Sequence, residues 1–174
     1  MRLNFRNAVE LSLLIALTLA SPVGRAQEKQ PGKKASAIQV KMIGANEVPI
    51  PAEFKVSLYE QLIDQLQKKG IFQHVYRDGD RTASSASDLI ALQCTVAGFK
   101  KGSETMRQVT TVAGATSITL LCQFRDQTGA SLLDRKIEGK VKFFGGNLKA
   151  TYDFAKKTAR VAEENFSAAG KGVQ

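Results

Sequence analysis

The chain has little from which to build a catalytic centre. Its 174 residues include one histidine and two cysteines. A lone His74 has no partner for a Ser-His-Asp relay formed within this chain. One imidazole and two strand-borne thiols are too few ligands for a structural zinc. The glycine-containing stretch Gly98-Phe99-Lys100-Lys101-Gly102 lacks the closing Lys-Ser/Thr pair of a phosphate loop. Asp78 and Asp80 flank Gly79 like half of a calcium loop, but the closing Glu is missing and the pattern is that of a turn. No cofactor or metal is therefore expected. A membrane-spanning run is also absent: Leu11 to Ala20 is ten residues long, where a helix needs about 20.

What the N-terminus does contain is an address. Arg2 and Arg6 precede that apolar run, and Gly24-Arg25-Ala26 supplies a small-x-small cleavage signature. Residues 1–26 read as a cleavable secretory signal, so a periplasmic or secreted location is expected. No Cys follows the cleavage point, which excludes a lipid-anchored Cys at the mature N-terminus. Residues 27–36 are polar and broken by Pro31-Gly32, the pattern of a disordered leader. A single domain is expected over 37–169.

Charge points to partners of one sign. The chain holds 25 Lys and Arg against 16 Asp and Glu, net +9. Loss of residues 1–26 removes three cations and one anion and leaves +7. Such an excess attracts acidic partners at long range. In the envelope these are anionic polymers and lipid head groups. A secreted protein seldom meets nucleic acid, so none is expected.

Periodicity gives the element order. Ile38, Val40 and Met42 alternate in a first strand over 37–43. Phe54, Leu58, Leu62 and Leu66 recur every four residues, and Tyr59 and Ile63 widen that stripe, so a helix runs from Pro51 to a Gly70 stop. A short strand is expected over 72–77, with His74 a partly buried structural residue. Longer strands follow over 88–99, 117–125 and 132–143. Gly145-Gly146 and Asn147 introduce a last helix with Leu148, Thr151, Ala155, Ala159, Ala162 and Phe166 facing inward. This order suggests an α+β fold: a mostly antiparallel five-stranded sheet with two helices packed on one face.

Two local features invite a functional reading. Cys94 shares its strand face with Ile90, Leu92 and Val96, and Cys122 shares its own with Ile118, Leu120 and Phe124. If the strands are neighbours in register the pair forms a disulfide; otherwise both are reduced, buried thiols. The long connection from Lys100 to Thr116 carries Lys100, Lys101 and Arg107 amid hydroxyls. It is either an anion- or partner-binding flap or an extended hairpin tip.

Phe72 after Gly70, the Val96-Ala97-Gly98-Phe99 strand end, Gly102-Ser103, Arg107, Gly114 and the turn Asp126-Gln127-Thr128-Gly129 together resemble a family of bacterial envelope proteins. It is classed as domain of unknown function 4410, and the similarity spans most of 37–166. It implies an envelope protein and carries no established activity. Many members look like lipoproteins, from which this chain departs by lacking the lipobox Cys. Function is thus expected to be non-enzymatic binding of a cell-envelope protein or anionic polymer. The rivals are a hydrolase or transferase built on carboxylates such as Asp78, Asp80 and Asp88, and a subunit that completes its sheet only in an oligomer.

Overall fold

A computed structural model describes residues 35–103, 105–106, 114–141 and 146–166. The signal segment, the leader up to residue 34 and Arg107 lie outside these. Strand β1 (Ala37–Val40) is followed by helix α1 (Ala52–Lys69), β2 (His74–Tyr76), a 3₁₀ turn (Arg81–Ser85), β3 (Leu89–Lys100), β4 (Thr116–Arg125), β5 (Ser131–Val141) and α2 (Lys149–Phe166). The five strands form one sheet in the order β2-β1-β3-β4-β5.

The sheet is mixed, which corrects the expectation of a mostly antiparallel one. β1 pairs in parallel with both β2 and β3, whereas β3, β4 and β5 are antiparallel. The reason lies in the connections. α1 carries the chain from the end of β1 back to its start, so β2 must run the same way, as in any strand-helix-strand crossover. The 77–88 segment then returns the chain again on the other side of β1, and β3 also enters parallel. All four residues of β1 are buried, as a central parallel strand requires. Ile38 and Val40 face the helices. Gln39 instead donates to the carbonyls of Arg77 (3.2 Å) and Asp80 (3.5 Å), beneath the 3₁₀ turn.

Both helices lie on one face of the sheet. Phe54 of α1 meets Phe99 edge-on at 4.9 Å, and Phe166 of α2 meets Phe124 at 5.1 Å. Ser57 bonds Thr151 at 2.6 Å and Lys69 bonds Glu163 at 2.5 Å. Each pair is 94 residues apart in the chain, so the two helices run parallel and in step. Gly70 closes α1 at φ 62°, and its N–H reaches the Gln67 carbonyl, which suits a residue without Cβ. α2 turns Thr151, Ala155, Ala159, Ala162 and Phe166 inward as expected, together with Phe154, but Leu148 stands 42% exposed ahead of its first turn.

Small residues let α2 sit close. A Cβ on Gly139 of β5 would lie 2.1 Å from the Ala150 carbonyl oxygen and 2.6 Å from Phe154 Cβ. At the outer edge of β5, Asp153 Oδ2 accepts from the Lys140 backbone N–H (2.9 Å). Lys157 Nζ donates to the Glu138 carbonyl (2.9 Å) and to Asp153 (2.7 Å).

Candidate functional site

The cysteine alternatives resolve in the β3–β4 ladder. Cys94 and Cys122 are directly opposed. The Cys94 carbonyl accepts from Gly44 N–H at 2.9 Å on the side away from β4, so the two cysteines form a non-hydrogen-bonded pair, where facing side chains are closest. Their Cα atoms are 4.1 Å apart and the sulfurs are joined. The disulfide is buried on the helix-covered face.

One ladder irregularity decides where the basic residues point. Up to Val96 the alternating residues of β3 face the core. The register then shifts between Val96 and Gly98, so that Phe99 pairs with Ile118 and Lys100 with Ser117. This bulge at Ala97 turns Phe99 inward, against Phe54, and sends Lys100 to the opposite, open face. Lys140 of β5 also pairs with Ser117, which puts two lysines in one row with a small hydroxyl between them. Lys101 follows just beyond the strand and is exposed. The structure therefore brings Lys100 and Lys140 together, whereas Arg107 lies outside the described residues.

The base of the β3–β4 connection is closed tightly. Gly102 N–H donates to Thr116 Oγ1 (3.0 Å), and Thr116 donates in turn to Asn147 Oδ1 (2.6 Å). A Cβ on Gly102 would fall 1.9 Å from the Gly114 carbonyl oxygen. Both ends of the connection are thus pinned to the start of α2.

The acidic candidates do not converge. Asp78 accepts from Met42 N–H (3.0 Å) and from Lys41 Nζ (3.2 Å), while its own N–H donates to Tyr59 Oη (2.8 Å). Met42 N–H, assisted by Lys41, holds the Asp78 carboxyl below the usual carboxylate range against the opposing effect of burial. Asp80 caps the 3₁₀ turn through Thr82 N–H (2.9 Å) and hydroxyl (2.6 Å), which likewise lower its pKa. Asp78 ties the loop to the end of β1, and Asp80 fixes the 3₁₀ turn itself.

Asp88 lines a cleft of about 130 Å³ together with Asp126. Asp126 Oδ1 accepts from Thr128 N–H, Thr128 Oγ1 and Ala130 N–H, which fixes the β4–β5 turn at Gly129 (φ 85°). Sites for small-molecule ligands run to roughly 300–1,000 Å³, so this cleft is small for a substrate. His74, expected to be partly buried, is exposed and stacks on Tyr76 at 5.7 Å; β2 is an edge strand, which leaves it uncovered. No cluster of three or more His, Cys, Asp or Glu suited to a metal occurs among the described residues. No helix among them is long and apolar enough to cross a membrane.

Sequence reasoning missed the open face itself. It comprises the outward residues of β3, β4 and β5, including Gln93, Thr95, Thr119, Leu121, Gln123 and Lys136. Asp134, Lys136, Glu138 and Lys140 alternate along β5 on this face, but only the register joins them to the neighbouring strands.

The class of protein defined here is a two-layer α+β domain with a mixed sheet, one helix-covered face and one open face. No protein-family model and no curated relative matches the sequence. Among solved structures, the PelC dodecamer from Paraburkholderia phytofirmans is similar with a TM-score of 0.55 at 15% identity, over 79% of this chain and 95% of that one. The hypothetical protein CT253 from Chlamydia trachomatis gives a TM-score of 0.49 at 8% identity, over 72% and 95% of the two chains. Protein XCC0632 from Xanthomonas campestris gives 0.45 at 12%, over 78% and 84%. At these identities the likeness is one of fold.

Proposed function

We propose that this chain is a non-enzymatic module of the bacterial cell envelope that binds a protein partner or an anionic polymer. One observation carries the reading: exposed lysines gather at one end of an open sheet face, Lys100 and Lys101 without an ion pair among the described residues and Lys140 paired with Glu138, while Asp78 and Asp80 are consumed in holding loops. A buried disulfide fits an oxidising compartment, as does the secretory signal read in residues 1–26. Membership of the family classed as domain of unknown function 4410 belongs to the same proposal.

The rival, a carboxylate-dependent hydrolase or transferase, retains Asp88 and Asp126 at their small cleft. Its test is direct: Asp88→Asn would abolish an envelope hydrolase activity and leave a binding module unaffected.

The proposal is tested by capture from periplasmic extract with residues 27–174 as bait, and by titration with anionic envelope polymer. Binding should weaken as salt rises, because exposed charges are screened over ~8 Å at physiological ionic strength. Replacing Lys100, Lys101 and Arg107 together with Gln should weaken polymer binding. Unchanged binding by that variant would remove the flap as the anion contact.

A further inference from the structure

The open face has a direction along its strands. Its basic end is the Lys100-Ser117-Lys140 row; one strand repeat inward, Glu138 pairs with Lys140 at 2.6 Å. Lys100, Lys101 and Lys136 make no ion pair or side-chain hydrogen bond among the described residues. The row two steps further in is Thr95-Leu121-Lys136, followed by Gln93-Gln123-Asp134. The face thus carries Gln93, Thr95, Thr119 and Gln123 around Leu121, with Asp134, Lys136 and Glu138 along β5, Arg125 held by Gln123 at the far end, and Lys100 and Lys140 at the near end.

We infer that this face binds a linear acidic polysaccharide, laid along the strands so that separate carboxylates meet Lys100 and Lys136. The inference rests on the proposed envelope-binding function and names the polymer class. Three features select this ligand. Lys100 and Lys136 lie at different levels along the strands, because Lys136 is four residues from the Lys140 that shares the Lys100 row, roughly 13 Å at ~3.3 Å per residue, so they meet separate charges along one chain. The neutral amides and hydroxyls match sugar hydroxyls, for which a purely ionic surface has no use. The face extends for the length of β3, 12 residues, or roughly 40 Å at ~3.3 Å each, enough for several sugar rings in a row. An anionic bilayer is the poorer fit. Leu121, 49% exposed between Thr95 and Lys136, is the large apolar group in the middle of this face, whereas membrane-surface binding needs a broad apolar face to bury.

The experiment is calorimetric titration of the exported chain with polygalacturonate, poly-L-glutamate of equal charge, and phosphatidylglycerol vesicles. The parent is compared with Lys100→Gln/Lys136→Gln on the sheet face and with Lys156→Gln/Arg160→Gln on the helix layer. Thermal unfolding of each variant first establishes that it is folded. Polygalacturonate should bind more tightly than polyglutamate. The sheet pair should lose about tenfold in affinity and the helix pair less than about twofold, since only contacting charges change affinity substantially. Equal loss from both pairs would overturn the sheet-face site while leaving polymer binding intact. Equal affinity for the two polymers, or binding to vesicles alone, would overturn the polysaccharide. No binding of the parent to any polyanion would overturn both this inference and the polymer half of the proposed function, leaving a protein partner to the capture experiment.

Discussion

The two faces of the same three strands differ in almost every property except their backbone. On one, Ile90, Leu92, Cys94, Val96, Ile118, Leu120, Cys122 and Phe124 are all 1% exposed or less beneath the helices. On the other, one residue along in each strand, Gln93, Leu121 and Lys136 meet solvent. Side-chain alternation alone separates them. The covered face is where substitution should unsettle the fold, and the open face is where it should change what the protein binds. That division can be attacked directly, because adjacent residues of one strand report on opposite faces.

The largest contrast should come from Leu120 and Leu121. Leu120→Ala opens a cavity in the core and should cost ~2–5 kcal/mol. Leu121→Ala, on the open face, should cost less than ~0.5 kcal/mol. Urea unfolding of both variants measures the difference, and similar losses would mean that the two faces are wrongly assigned. Leu62→Ala in α1, fully buried, should fall in the same range as Leu120→Ala.

Next in size is the disulfide. Paired replacement of Cys94 and Cys122 by Ala should lower stability by ~2–4 kcal/mol through loss of the closed loop. The protein, unfolded without reductant, should show no reactive thiol.

Glycines sharpen the comparison further. Gly139→Ala drives a methyl into the Ala150 carbonyl and should cost ~1–3 kcal/mol as α2 is forced outward. Gly98→Ala, on the open face, places its Cβ at an ordinary 3.7 Å from Thr119 and should be tolerated within ~0.5 kcal/mol.

The smallest effect concerns Asp78→Asn. Asparagine can still accept from Met42 N–H but loses the ion pair with Lys41, a change of about 1 kcal/mol near neutral pH. Because folding lowers the Asp78 pKa, its stabilisation is complete above the usual carboxylate range and is lost as pH falls through the lowered value. Melting temperatures of parent and variant should therefore differ at pH 7 and converge in acid. A constant gap across pH would show that the carboxylate charge is not what holds the loop.

The covered face was largely legible in the sequence. Leu58, Leu62 and Leu66 lie on the buried side of α1, and the parity of Cys94 and Cys122 placed both in the core. What sequence could not supply was anything dependent on which strands are neighbours. β1 shows no alternation in burial, with Gln39 on its outer face tied to the carbonyls of Arg77 and Asp80, so its two parallel pairings carried no local mark. The bulge at Ala97 is one residue long, yet it decides that Phe99 is core and Lys100 surface. The alternation read along β3 broke off there for that reason. The basic row was hidden similarly: Lys100 and Lys140 are 40 positions apart in sequence, and only Ser117 between them makes them a pair.

The Asp153–Lys157 pair on α2 has a consequence for how the protein survives at high concentration. A terminal strand with free amides and carbonyls is a template on which other chains can stack into cross-β aggregates. Here one amide and one carbonyl at that margin, Lys140 N–H and Glu138 C=O, are already occupied by side chains of the molecule itself. Asp134, Lys136 and Lys140 add charge along the remainder. Docking of the last helix is the step that shuts this margin. Chains that lose the helix, or the two side chains that reach from it, should be the ones that precipitate.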